Sequence, residues 1–213
     1  MIISMTSYSA RFTGNENFIL NRKPVEENLS SFWSWAYSEL DSNMIRSVLA
    51  EYIVASALDI TEEPGESYRQ MWRPYDLGYK GLRIEVKSAS SVQTWNSKHK
   101  GNYIFSIAPA RVPGEEGDYK EDAPLQRNSD LYVFAIFEPE DEGILPLNLD
   151  AWQFLILPTR VLDEMSLTQK SIAISSLMKL EPRVCNYSEL KECVDRIMID
   201  NSILEGVDHS DCL

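Results

Sequence analysis

Seven consecutive apolar residues, Leu131 to Phe137, constrain what this chain can fold into more than any other stretch of its 213 residues. Neighbouring side chains of a strand point to opposite faces, so a strand with one wet face alternates apolar and polar. A run with no polar member has two faces to bury and reads as a central strand, covered above and below. Trp152 to Leu157 reads as another. Such strands need helices to cover them, and a chain of this length can supply both around one core. One α/β domain is the expectation.

The rest of the chain divides around these strands. Residues 1–30 are polar and irregular, and Glu26 to Glu39 reads as a helix, so residues 1–40 form an N-terminal helical lead-in. The main domain is expected over 41–213. It opens with a helix from Ser42 to Leu58, capped by Asp41 or Ser42 and apolar around most of its circumference. Tyr68 to Leu77 and Leu82 to Ala89 read as two strands, and Tyr103 to Ile107 as a third. Ser90 to Gly101 is a polar loop or short helix, and 111–124 a mobile acidic loop rich in Pro and Gly. From Val161 the pattern turns helical and polar. Tyr187 to Ile199 is an amphipathic helix, followed by an acidic, frayed end.

The two strands before and after Lys80-Gly81 hold the main electrostatic oddity. With those two residues as the hairpin loop, Tyr79 pairs with Leu82, Leu77 with Ile84 and Asp76 with Glu85. Two carboxylates then stand opposite each other, their Cβ atoms roughly 5 Å apart. Like charges so placed require a cation. Lys87, on the same face as Glu85, supplies one charge, and a divalent metal would supply the rest. Glu51 is a second anomaly, because its helical neighbours Met44, Val48, Ala55 and Leu58 are all apolar. A charge on that stripe needs a partner. It sits at a partly exposed edge, pairs with an arginine such as Arg83, or reaches the Asp76 and Glu85 pair.

Asp76, Glu85 and Lys87, with Glu51 on the preceding helix, resemble the acidic-acidic-lysine core of the PD-(D/E)XK nuclease superfamily. The resemblance covers about residues 42–137. Pro74 is separated from Asp76 by Tyr75, whereas the proline of the superfamily's name directly precedes its aspartate. What the resemblance implies is a restriction-endonuclease-like fold, a mixed central β-sheet flanked by helices. It implies Mg²⁺, or Mn²⁺, held by Asp76, Glu85, the Val86 carbonyl and Glu51, with Lys87 stabilising charge on phosphorus. Carboxylates are hard oxygen donors that suit such an ion. The activity implied is hydrolysis of phosphodiester bonds by an endonuclease, in DNA and in bacterial antiviral defence or DNA processing. Gln93 matches a supporting glutamine that relatives place beyond the lysine. A catalytically inactive subunit of the same fold, acting as a binding or assembly module, is the alternative.

Net charge is −13, which opposes a polyanionic partner. The charge is segregated. Residues 1–110 carry 11 basic against 12 acidic side chains, and residues 111–213 carry 9 against 21. Between 69 and 100 there are seven basic residues, and Asp76 and Glu85 are the only acids. That island keeps nucleic acid, DNA foremost, as the expected partner, while the acidic C-terminal half suits a homodimer or larger complex. Lys98 and Lys100 suit phosphates, and Trp95 either stacks on a base or belongs to the core. His99 is a remote candidate for a general base. Arg127 and Asp130 read as a local turn interaction. No apolar run approaches the ~20 residues of a membrane span. Three cysteines in no metal-ligand spacing, and no secretory signal, point to reduced thiols in the cytoplasm.

Overall fold

The structure, a computed structural model, describes residues 11–71, 73–91, 101–111, 124–141 and 143–205. The chain opens with a hairpin of strands β1 (Asn17–Leu20) and β2 (Lys23–Asn28), then helix α1 (Leu29–Tyr37). The expectation of irregular chain up to residue 30, with a helix from Glu26, is corrected here. Asn21 and Arg22 both adopt positive φ, 50° and 65°, the backbone of a two-residue turn that matches strand twist. Asn28 begins α1 as its cap, accepting from the Ser31 N–H at 3.0 Å.

Helix α2 (Asn43–Ala57) follows as expected, with Ser42 accepting from the Ile45 N–H at 3.3 Å. Strands β3 (Leu77–Tyr79) and β4 (Leu82–Ser90) form the expected hairpin, Leu77 opposite Ile84 and Tyr79 opposite Leu82. Lys80 and Gly81 take positive φ, 49° and 85°. Strand β3 is shorter than the Tyr68 to Leu77 expected, because none of the described residues between 68 and 76 is in a strand. Next come β5 (Ile104–Ser106), β6 (Leu131–Phe137), β7 (Trp152–Pro158), α3 (Thr159–Met165), β8 (Ser171–Ala173), α4 (Ile174–Leu177), β9 (Arg183–Cys185) and α5 (Leu190–Glu205). The helical expectation from Val161 misses β8 and β9, both three residues long.

The architecture is mixed α/β. Five strands form one mixed sheet in the order β3-β4-β6-β7-β9, with β4 and β6 parallel and the other neighbours antiparallel. Strand β6 lies at its centre, and all seven of its residues are buried. Leu131, Val133, Ala135 and Phe137 face a core shared with Ala50, Ile53 and Val54 of α2 and Leu190, Val194 and Ile197 of α5. Tyr132, Phe134 and Ile136 face a second core with Phe105, Leu162, Ile172 and Leu177. The small β5–β8 sheet and α3 and α4 therefore cover the face opposite α2 and α5.

Arg127 stands under the second core with its side chain wholly buried. It donates to the carbonyls of Ile107 (2.9 Å), Ser166 (3.1 Å) and Gln169 (3.0 Å) and pairs with Asp163. Asp130 instead takes a forked contact from Arg83, at 3.0 and 2.5 Å, and accepts the Arg83 N–H at 2.9 Å. The local turn interaction expected between Arg127 and Asp130 is thus replaced by two long-range ties. No helix among the described residues is long and apolar enough to cross a membrane.

Candidate functional site

The shortness of β3 makes the site. Its ladder with β4 ends at Leu77 opposite Ile84, so from Glu85 onward β4 has, among the described residues, a strand neighbour, β6, on one side only. The next bond slips out of step. Asp76 N–H donates to the Ile84 carbonyl at 3.0 Å, one residue off the ladder register, as at a β-bulge. The expected direct pairing of Asp76 with Glu85 gives way to this slip. Asp76 turns its carboxylate along the open edge and accepts the Val86 N–H at 2.8 Å, where a longer β3 would have placed a carbonyl. A strand residue points its N–H and C=O to the same side, so the Val86 carbonyl faces that same open edge.

Glu85 and Lys87 stand on the sheet face of their β6 partners Tyr132 and Phe134 and form an ion pair with each other. Both are partly shielded. Glu51 reaches the edge from α2. Its side chain is 9% exposed and is held by Arg69, whose Nε and Nη2 donate to the two carboxylate oxygens at 2.5 and 2.9 Å. The partner is Arg69 rather than the Arg83 considered from the sequence, since Arg83 is committed to Asp130. Glu51, Arg69 and Asp76, with Tyr52 and Tyr68, line a cavity of about 170 Å³ between α2 and the loop that follows it.

All three carboxyls are pushed above their ordinary range, and for each the largest cause is burial. For Glu85 the next cause is the negative charge of Asp76, with Glu51 adding to it and Lys87 opposing. For Glu51 the Arg69 hydrogen bonds oppose the rise and Asp76 reinforces it. For Asp76 the Val86 N–H, Lys87 and Arg69 oppose it. The Tyr132 phenol is pushed up to about 12, by burial first and then by Glu85. Three acids from three separate segments therefore feel one another across the open edge of β4. The site's chemistry is acidic and oxygen-rich, with one lysine and one arginine as counter-charge.

Among the described residues, no three His, Cys, Asp or Glu side chains stand together in a group able to hold a metal ion. Two acidic donors and a carbonyl are what the edge offers. Asp76 uses Oδ2 and Glu85 uses Oε1 in the contacts above. The other oxygen of each carboxylate takes no hydrogen bond from a described residue.

Gln93, Trp95, Lys98, His99 and Lys100 lie outside the described residues. So does most of the acidic loop, over 112–123. The basic island is less available than its composition suggests. Arg69 pairs with Glu51, Arg73 with Glu66, Lys80 with Asp195, Arg83 with Asp130 and Lys87 with Glu85. The sequence assigns Arg69 no place at the site, and its only signal is a basic residue in the coil between Glu51 and Asp76. Tyr132 carries no signal at all, being one apolar-run member among seven. Set against protein-family models, curated proteins and solved structures, the chain matches none of them.

Proposed function

We propose that the chain is a metal-dependent nuclease of the PD-(D/E)XK kind, hydrolysing phosphodiester bonds in DNA, with Asp76, Glu85, Lys87 and Glu51 as its working residues. The observation that carries the reading is that Asp76 and Glu85 border one open strand edge with Glu51 nearby, all three raised by burial and Glu51 and Glu85 also by the charge of Asp76. A protein keeps such a cluster at a cost in stability, and clusters of this kind are concentrated at functional sites. The mixed sheet, with α2 against one face and β4 beside its edge strand, is compatible with a restriction-endonuclease-like fold.

The donor set fits Mg²⁺ or Mn²⁺. Asp76 and Glu85 each keep an oxygen that takes no hydrogen bond from a described residue, the Val86 carbonyl faces the same edge, and all three are hard donors. Such an ion supplies Lewis-acid polarisation of a phosphoryl oxygen and a more acidic water. The chain's own groups do the rest. Val86 N–H fixes the Asp76 carboxylate. Lys87, which the ion pair with Glu85 keeps beside the edge, would present a compact positive charge to the reacting phosphate. Glu51 orders water at the mouth of the cavity, with Arg69 holding its carboxylate in place.

Cleavage of plasmid and single-stranded DNA in Mg²⁺ or Mn²⁺ tests the reading. Asp76→Ala, Glu85→Ala and Lys87→Ala each lose at least about 10²-fold in rate while staying folded. Undiminished cleavage by Asp76→Ala sinks the assignment. A second reading, an inactive binding or assembly subunit, is favoured by one feature: Arg69 and Lys87 already neutralise Glu51 and Glu85 from within the chain. A wild type inert on every DNA and RNA substrate selects it.

A further inference from the structure

The cavity of about 170 Å³ beside Asp76 is built from three segments. Val48, Glu51, Tyr52 and Ala55 supply one wall, and their spacing of three and four residues sets them on a single face of α2. Thr61 and residues 66–69 supply another, and Leu77 joins Asp76 at the start of β3. The loop wall is fastened. Arg69 ties it to Glu51, Arg73 donates to Glu66 Oε1 at 2.6 Å, and Gln70 Nε2 donates to the Gly65 carbonyl at 2.8 Å. Two tyrosines give the cavity aromatic surface. Tyr52 and Tyr68 are 57% and 41% exposed, so each keeps ring area that a ligand can cover.

Charge and size select the occupant. Glu51, Glu66 and Asp76 border the cavity, and the two arginines that border it are engaged, Arg69 by Glu51 and Arg11 by Glu62. A phosphate inside meets three acids, whereas an uncharged flat group does not. A cavity of about 150 Å³ takes one benzene ring, and pockets for drug-sized ligands run to about 300–1,000 Å³. The space here suits a single ring system without a sugar and phosphate. Asp76 belongs both to this cavity and to the open edge of β4. A nucleotide that straddles Asp76 therefore leaves its phosphate at the edge and puts its base in the cavity. The described cations from Arg69 to Lys87 each hold a carboxylate, which leaves ring stacking as the main source of affinity. A base taken into such a pocket has left its pairing partner behind.

We propose that the cavity between α2 and the loop after it is a nucleobase pocket, with Tyr52 and Tyr68 as its stacking rings, and that the DNA it takes is unpaired at that position, single strands foremost. The placing of the phosphate at Asp76 and Glu85 rests on the nuclease reading, and the pocket adds the class of DNA.

Fluorescence anisotropy of short labelled oligonucleotides on the full chain tests this, with Ca²⁺ in place of Mg²⁺ and the strands checked for cleavage. A single strand is expected to bind at least ~10-fold tighter than its blunt duplex, and at least ~10-fold tighter than the same backbone without bases. Tyr52→Leu keeps bulk but has no π face, and it raises the single-strand dissociation constant ~5–100-fold with unchanged far-UV circular dichroism. Tyr52→Phe binds as the wild type does. Equal affinity for strand and duplex, equal affinity for the strand without bases, or a Tyr52→Leu protein at wild-type affinity overturns the proposal. Digestion in Mg²⁺ separates it from the nuclease reading. A wild type that cuts DNA while Tyr52→Leu binds at full affinity removes the pocket and leaves the nuclease. A wild type that shows the Tyr52 dependence and cuts nothing removes the nuclease and leaves the pocket.

Discussion

Replacing Arg69 by Met keeps an apolar stem of similar length and removes the guanidinium that neutralises Glu51. Breaking a fully buried pair by deleting one partner costs about 3–5 kcal/mol, because the other charge is stranded. Glu51 is stranded in this sense at 9% exposure, but Arg69 is 39% exposed, so water already shares its side of the pair. Halving the figure gives about 2 kcal/mol at neutral pH. For a chain of this size that corresponds to a fall in Tm of roughly 4–8 °C. The acid dependence carries the test. Burial raises the Glu51 carboxyl and the Arg69 hydrogen bonds hold it down, so the variant raises it further. A carboxyl with a raised folded-state pKa binds its proton more tightly folded than unfolded. Its stability penalty is therefore full above the folded-state pKa and fades as pH falls through that value toward the ordinary carboxylate range. Thermal melts of wild type and Arg69→Met at pH 8 and pH 5 should show the deficit at the first and little at the second. An equal deficit at both refutes the electrostatic account and leaves Arg69 a packing residue.

Asp76→Asn retains an oxygen to accept the Val86 N–H and removes a charge that burial disfavours. At pH 7.5 its Tm should rise by about 2–4 °C, equivalent to ~1 kcal/mol, with the gap closing as pH falls toward the ordinary carboxylate range; a lower Tm than wild type contradicts the burial argument. Phe134, fully buried at the centre of β6, lies 4.9 Å from the Phe105 ring and 5.7 Å from Tyr132. Phe134→Ala should cost about 3–5 kcal/mol in urea unfolding with m unchanged, and a loss below about 1.5 kcal/mol means the second core can collapse around the gap.

The parts of the fold written in local pattern were legible. The unbroken apolar run of β6 placed a strand at the sheet centre, and Ser42 set the start of α2. Lys80-Gly81 fixed the hairpin register as far as Leu77 opposite Ile84. The parts set by distant partners were not. Nothing between 68 and 76 marks where β3 gives out, because the slip at Asp76 comes from the carboxylate finding the Val86 N–H ten residues on. Arg69 and Arg127 look like ordinary surface arginines, and their acids lie 18 and 36 residues away. Strands β8 and β9 are too short to show alternation. The β1–β2 hairpin lacks glycine at its turn, Asn21 and Arg22 taking the positive φ themselves.

Every described cation from Arg69 to Lys87 already holds a carboxylate. A phosphate that takes one of them must separate that internal pair, so it gains a contact and frees an acid in the same step. Salt weakens both pairs alike. Counterion release ordinarily makes polyanion affinity fall by nearly one power of salt concentration for each phosphate neutralised. At each of these pairs the freed acid recaptures part of that ion atmosphere. A nucleic acid held here binds through few net charges, and its affinity changes far less between low and physiological salt than five basic residues would suggest.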